Sequence, residues 1–225
     1  MRSYGQFCGV AKALDVIGDR WSLLIVRELM ILGPCRYTDL QRGLPGIATN
    51  LLADRLRSLD EAGVVRREVA PPPVATTLVH LTERGEGLVA VIRELGRWGA
   101  PLLADPDSDD AFRSYWITLP LELFYHDPSP DHPPVRVEVR MGDEPMTIET
   151  VEGNVRARRG STVNPDAVMS GPPHLIIGVL SGRMCVNEAC AGGLEVTGVV
   201  EAIGRIRPRP APIADGALGS GLPAS

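Results

Sequence analysis

Residues 45–68, PGIATNLLADRLRSLDEAGVVRRE, allow fewer folds than any other stretch of this chain. Pro45-Gly46 makes a turn, and Thr49 or Asn50 can cap a helix that starts behind it. Leu52, Leu56 and Leu59 then recur at the spacing of one helix face, so that face belongs in a core. A helical wheel puts Asn50, Asp54, Arg57 and Glu61 near the opposite side. Gly63 stops the helix and Val64-Val65 begins a strand. A short helix that shows amide and guanidinium groups outward, and runs directly into a strand, suits the major groove of DNA. An ordinary surface helix shares that pattern, so the flanking sequence has to decide.

The chain has 225 residues, room for one large domain or two small ones. Its apolar share of 44% supports real cores, although only 4% is aromatic. A net charge of −5 argues superficially against a nucleic-acid partner, but the charge is uneven. Through Ala104 there are 13 basic against 11 acidic residues, and beyond it 10 against 17. The more basic half therefore holds the candidate helix, which permits DNA binding. No apolar run approaches the roughly 18 residues of a membrane span, and the N-terminus lacks a signal-peptide pattern. Cys8, Cys35, Cys185 and Cys190 do not look like a disulfide framework in a chain this long. A cytoplasmic protein with reduced thiols and no membrane partner is expected.

Taken in order, Cys8 to Ile17 reads as a helix with Val10, Ala13, Leu14 and Ile17 on one side. Asp19 can cap a second helix, Trp21 to Leu32, which is apolar almost all round and so belongs at the centre of its domain. Gly33-Pro34 ends it, and Thr38 can cap a short third helix running to Leu44. The PGI turn and the Asn50 helix then complete helix–turn–helix spacing. Strands at Val64–Val69 and Thr77–Leu81 flank Ala70-Pro71-Pro72-Pro73, a hairpin with a stiff tip of the kind a wing needs. A long helix from Thr82-Glu83 through Trp98 follows, with Leu88, Val91, Ile92 and Leu95 as its apolar face.

The wording of this half resembles the HxlR family of winged-helix regulators, relatives of the MarR group. The resemblance is carried by Cys8, GDRW at Gly18–Trp21, RYTDL at Arg36–Leu40, PGI at Pro45–Ile47 and the leucine and arginine pattern from Leu52 to Leu59. AGVVRRE at Ala62–Glu68, LTERGEGL at Leu81–Leu88 and Arg97-Trp98 extend it to about 95 residues. Val79 stands where the family usually has a tyrosine, which bears on a wing-to-core contact. The resemblance implies a homodimer on a double-stranded DNA operator. Asn50 and Arg57 are expected at base edges, with Thr49, Arg36, Arg55 and the wing's Arg66 or Arg67 on phosphates. Each of these arginines could instead be a solvated salt-bridge partner.

Asp105 to Asp110 reads as an acidic linker. It divides a DNA-binding and dimerisation domain (1–104), expected to bind DNA alone, from a second domain at 111–207; residues 208–225 read as a disordered tail. In the second domain, Ala111–Phe124 is amphipathic and interrupted by Pro120. Val135–Met141, Pro145–Val151, Val155–Arg158, Asp166–Ser170 and Leu194–Thr197 have strand character. Pro172–Leu180 and Gly198–Ile206 read as helices. GPPHLIIGVLSGR at Gly171–Arg183 and GGLEVTG at Gly192–Gly198 resemble the sterol carrier protein type two-like fold. That resemblance implies a helix-backed sheet around an apolar pocket, lined by Trp116, Phe124, Met169, Leu175, Ile176 and Val179; the same side chains would also serve as plain core.

The expected fold class is thus α+β, a winged helix–turn–helix followed by a helix-backed sheet. No phosphate loop, nucleophile elbow or paired-histidine spacing is present, so no enzyme, cofactor or metal site is expected. Cys185 and Cys190 read as small core residues. Cys8 matches the position of an N-terminal thiol that some relatives use to sense oxidants or electrophiles, and a buried packing residue is its alternative. The expected function is a DNA-binding transcriptional regulator whose C-terminal domain answers to a hydrophobic small molecule. A Cys8 redox sensor and a lipid carrier are the alternatives.

Overall fold

The computed structural model describes residues 3–71, 75–104, 110–142 and 144–210. Helices α1 (Gly9–Ile17), α2 (Ser22–Leu32), α3 (Tyr37–Gly43) and α4 (Thr49–Glu61) open the chain, with a short strand β1 (Cys35–Arg36) between α2 and α3. Strands β2 (Val65–Val69) and β3 (Thr77–Leu81) form the hairpin, and α5 (Glu83–Glu86) and α6 (Val89–Gly99) follow. The three strands pair antiparallel in the order β1-β3-β2. This is a winged helix–turn–helix. Its core gathers Ile25, Val26 and Leu29 of α2, Leu40 of α3, and Leu52, Leu56 and Leu59 of α4. Val79 is buried and lies opposite Cys35 and Arg67, so the wing meets the core through it without an aromatic ring.

Several expected helix starts shift by a residue or two. Ala48 precedes α4, so Thr49 and Asn50 are its first residues and neither is its cap. Arg36 precedes α3, whose backbone amide donates to Asp39 at 3.2 Å, and Thr38 lies inside the helix. Trp21 precedes α2 in the left-handed region at φ 83, uncommon for a bulky side chain. The predicted helix from Glu83 to Trp98 is two helices. Its first turn is drawn onto the α4–β2 connection, where the Thr82 hydroxyl donates to the Gly63 carbonyl at 2.6 Å. Gly85 makes that approach feasible, since a Cβ there would lie 2.1 Å from the Val64 carbonyl oxygen.

The C-terminal half is a curled mixed sheet with helices. Its strands are β4 (Tyr125–His126), β5 (Arg136–Met141), β6 (Glu144–Val151), β7 (Asn154–Arg159), β8 (Ala167–Ser170), β9 (Glu195–Gly198) and β10 (Arg207–Pro208). Their order is β10-β4-β7-β6-β5-β8-β9, with β5 and β8 the parallel pair. Helices α8 (Pro173–Leu180), α9 (Val186–Ala191) and α10 (Val200–Ile203) accompany it. Alternation puts Val137, Val139 and Met141 of β5 beside Met146 and Ile148 of β6 in one buried cluster with Leu175, Ile176, Val179 and Leu180 of α8. Pro208 pairs with Tyr125 at the sheet edge, where its missing N–H costs no ladder bond, so the order extends past the expected start of the tail. Residues 211–225 and Asp105–Asp109 lie outside the described residues.

Between the halves, Ser114–Ile117 forms a turn of 3-10 helix that leads into α7 (Thr118–Phe124). Pro120 is tolerated there because it sits in the first turn, where no intrahelical acceptor awaits its nitrogen. This segment belongs to both cores. Tyr115 and Leu121 join the sheet cluster, whereas Leu119 and Leu123 are buried in the winged-helix cluster. Gly96 of α6 lets α7 come close, a Cβ there standing 3.4 Å from both Leu119 and Leu123. An ion pair of 2.7 Å between Arg93 and Glu122 runs alongside. Burying each of these leucines is worth about 1.5–3 kcal/mol, so the winged half leans on residues beyond the expected boundary.

Candidate nucleic-acid interface

The turn between α3 and α4 is fixed from inside and outside. Leu44 and Ile47 are buried beneath it, and Gly46 takes φ +84, a backbone that suits glycine. Outside, the Tyr37 hydroxyl donates to the Thr49 carbonyl at 2.6 Å, and the Gln41 amide donates to the Thr49 hydroxyl at 2.9 Å. Tyr37 and Gln41 therefore set the angle between the two helices. Neither is among the residues expected from sequence; the helix spacing that places them one turn apart on α3 is the signal that could have found them.

With Leu52, Leu56 and Leu59 in the core, the outer face of α4 carries Asn50, Asp54, Arg57 and Glu61, all exposed. The Asn50 side-chain oxygen accepts from the Leu51 amide at 2.9 Å, which orients its NH2 group away from the helix. Arg57 pairs with Asp54 at 3.3 Å, and both side chains are more than half exposed. Pairs in that setting are worth about 0–1 kcal/mol, so Arg57 can exchange its carboxylate for another acceptor at little cost.

On the wing, Arg66 pairs with Glu68 at 2.7 Å and Arg67 lies 3.7 Å from Asp60 of α4. Successive residues of β2 point to opposite faces, so these two arginines do not share one. Arg36 is exposed at the start of α3. Arg55 departs from its expected placement among the phosphate contacts: it is largely buried and ion-paired to Asp19, tying α4 to the α1–α2 turn. The structure thus brings Thr49, Asn50 and Arg57 together on α4, places Arg36 and the wing arginines at its flanks, and turns Arg55 inward.

Cys8 is exposed at the N-terminal end of α1, where the nearby backbone amides of Ala11 and Val10 favour the thiolate and hold its pKa below the ordinary value. It is not the buried packing residue that was the alternative. Cys35 is buried, and desolvation, aided by Asp39 and Glu28, pushes it up to about 12. Cys185 and Cys190 are exposed and not in the core as expected; the Cys185 sulfur accepts the Glu188 amide and caps α9.

Of the six expected pocket residues, Met169, Leu175, Ile176 and Val179 are buried among their neighbours in the sheet cluster, and Phe124 packs on the winged-helix core. The four in the sheet cluster pack with Val137, Val139, Met146 and Ile148 as ordinary core. Trp116 borders an apolar cavity of about 530 Å³ between α7 and α8, and Val179 lines a more polar one of about 570 Å³ beside α10. The surroundings of Trp116 hold one more residue that sequence reasoning missed. Glu28 of α2 is fully buried and accepts hydrogen bonds from the Tyr115 hydroxyl at 2.8 Å, the Trp116 indole at 2.8 Å and the Arg27 guanidinium at 2.6 Å. Among the described residues there is no cluster of histidine, cysteine or carboxylate side chains suited to a metal, and no helix long and apolar enough to cross a membrane.

Residues 16–106 match the family model described as HxlR-like helix-turn-helix. The uncharacterized HTH-type transcriptional regulator YvaP of Bacillus subtilis (strain 168) is 33% identical over 87 residues, covering 39% of this chain and 80% of the relative. The HTH-type transcriptional regulator YodB of the same organism is 36% identical over 86 residues, covering 38% of this chain and 76% of the relative. The solved structure of the reduced form of YodB is 32% identical, covers 45% of this chain and 100% of that one, and superposes with a TM-score of 0.39. The family match ends at residue 106, before the sheet begins.

Proposed function

The chain belongs to the HxlR-like helix-turn-helix family of transcriptional regulators, and from that footing we propose that it reads a pseudo-palindromic operator in double-stranded DNA as a homodimer, with α4 in the major groove. The observation that carries this reading is the outer face of α4, where Asn50 and Arg57 are exposed on a helix whose other side is core. An amide and a guanidinium so placed match the edges of adenine and guanine. Arg36, Thr49 and the wing arginines supply phosphate contacts, while Arg55 acts from within by holding α4 to Asp19. In a gel shift on the protein's own upstream region, Asn50→Ala and Arg57→Ala should each cost about 1–3 kcal/mol and relax the preference at one base position. Arg36→Ala should weaken all sequences alike and flatten the salt dependence. Identical behaviour of the three variants would overturn the division between base and phosphate contacts.

The second copy docks on α1 and α6. Phe7, Val10 and Leu14 at one, and Val91, Leu95 and Trp98 at the other, are large apolar side chains left exposed. Leu95→Asp should give monomers in sedimentation and abolish operator binding together; a dimer that survives would place the interface elsewhere. The C-terminal half, in this reading, holds a hydrophobic effector that biases the separation of the two α4 helices, coupling occupancy to affinity through dimer geometry.

A second reading rests on Cys8, exposed with a thiol whose pKa is lowered at the end of α1. As a sensor it should react with a disulfide reagent near neutral pH far faster than Cys35, and its modification should release the operator. Modification that leaves DNA affinity unchanged removes Cys8 from regulation.

A further inference from the structure

The cavity between α7 and α8 has a wall that is also a hydrogen-bond donor to the winged half. Its lining includes Phe112, Trp116, Ile117, Leu121, Tyr125 and Ile177, with Asp110 as the one charged side chain and no lysine, arginine or histidine among the described residues. At about 530 Å³ it falls within the range of small-molecule pockets. Three of those side chains are aromatic, offering faces on which a flat ring can stack. The Tyr125 hydroxyl is neutral near pH 7, as a tyrosine ordinarily is, and burial pushes its pKa up further. An anion would find no cationic lining side chain to offset its desolvation and would face the carboxylate of Asp110, which already has an interaction of its own. The chemistry fits a neutral ring system.

Trp116 links this cavity to the DNA-binding half. Its indole N–H donates to Glu28, and the Arg27 guanidinium lies over its ring at 4.6 Å. The Glu28 carboxylate in turn abuts Gly43, the last residue of α3, so closely that a Cβ there would lie 2.2 Å from one carboxylate oxygen. From α3, Tyr37 and Gln41 hold Thr49 at the start of α4. A ring that displaces Trp116 must therefore disturb a fully buried carboxylate, and the nearest element able to answer is α3. A packed contact of this kind shifts between discrete arrangements and does not deform smoothly.

We propose that this cavity is the effector site, that its ligand is a neutral, ring-bearing apolar molecule, and that the Trp116–Glu28 hydrogen bond transmits occupancy to α3 and α4 and lowers operator affinity. Trp116 is then a positioning residue for the DNA-binding face as well as a wall of the site. The inference rests on the regulator reading above.

The test uses the full chain with N-phenyl-1-naphthylamine, a neutral two-ring fluorophore, as probe and dodecanoate as an anionic competitor. The probe's emission should rise and saturate, dodecanoate should not displace it, and operator affinity should fall about 5- to 150-fold. Ile177→Trp fills the cavity and should abolish probe binding and, with it, any effect of the probe on operator affinity. Trp116→Phe keeps a ring but removes the N–H, so it should still bind the probe but hold the operator at the lowered affinity with or without it, the coupling lost. The proposal is overturned if Ile177→Trp binds the probe as well as the original protein, if dodecanoate displaces it, or if Trp116→Phe still transmits the full effect. Failure of the regulator reading has a different signature. Unliganded protein would then shift no operator, which overturns the coupling, while saturable probe binding lost in Ile177→Trp would still support the site.

Discussion

Arg57 on the face of α4 and Glu28 in the seam are both charged residues on helices of the same small winged domain, and burial sets them to opposite tasks. Arg57 is 65% exposed, and Asp54, with which it pairs, is similarly open to water. Glu28 has no exposure at all, and its two oxygens together accept from a tyrosine, a tryptophan and an arginine. Water competes for the first charge and leaves it available to a partner. The second has no water to fall back on, so its protein donors must all stay in place. The surface charge can serve recognition and adds little to stability, while the seam charge holds two halves together and cannot be touched without consequence.

The comparison breaks most visibly at Glu28. Glu28→Ala leaves the Arg27 charge, the buried Tyr115 hydroxyl and the half-buried Trp116 indole without their acceptor, and should cost about 3–5 kcal/mol in chemical denaturation. Loss of less than about 1 kcal/mol would mean that water enters the seam, and the contrast with α4 would fail. Gly43→Ala should come next. Its Cβ would meet the Glu28 carboxylate and, at 2.8 Å, the Tyr115 hydroxyl. Overpacking of this kind costs about 1–3 kcal/mol, and heteronuclear NMR should show shifts at both α3 and the Trp116 indole. The smallest effect belongs to Arg57→Ala, whose unfolding free energy should change by no more than about 0.5 kcal/mol although operator affinity falls. A larger stability change there would show that α4 needs its outer charges to fold.

The seam also bears on how far the two halves are separable. Cutting after residue 104 removes Leu119 and Leu123 from the winged-helix core and takes away two of the donors to Glu28. The expectation that residues 1–104 bind DNA alone therefore meets a physical obstacle, an open apolar patch beside an undercompensated buried carboxylate.

The winged half was legible from the chain because its signals are local. Leucines at helical spacing, glycines after the last turn and alternating residues in the hairpin each act within a few positions, and they placed β2 and β3 to within a residue and the start of α4 to within two. The outer face of α4 followed directly, since whatever side is not core faces out. Strands β5 to β8 could be read for the same reason. Short strands such as β1, β4 and β10 could not, because two residues carry no period and exist only where a partner strand supplies the other half of the bonds.

Sequence by itself determined which faces are apolar, and so the helix–turn–helix, the wing and the residues α4 can show to DNA. Only the tertiary structure decided where the remaining charged and aromatic side chains went. Nothing local distinguishes Arg55, drawn in to Asp19, from Arg57, left outside, two positions later on the same helix. Nor does anything near Glu28 in an apolar helix announce Tyr115 and Trp116, whose contacts span 87 and 88 positions of chain. A buried charge is stable only when distant donors converge on it, and that convergence is a property of the packed molecule.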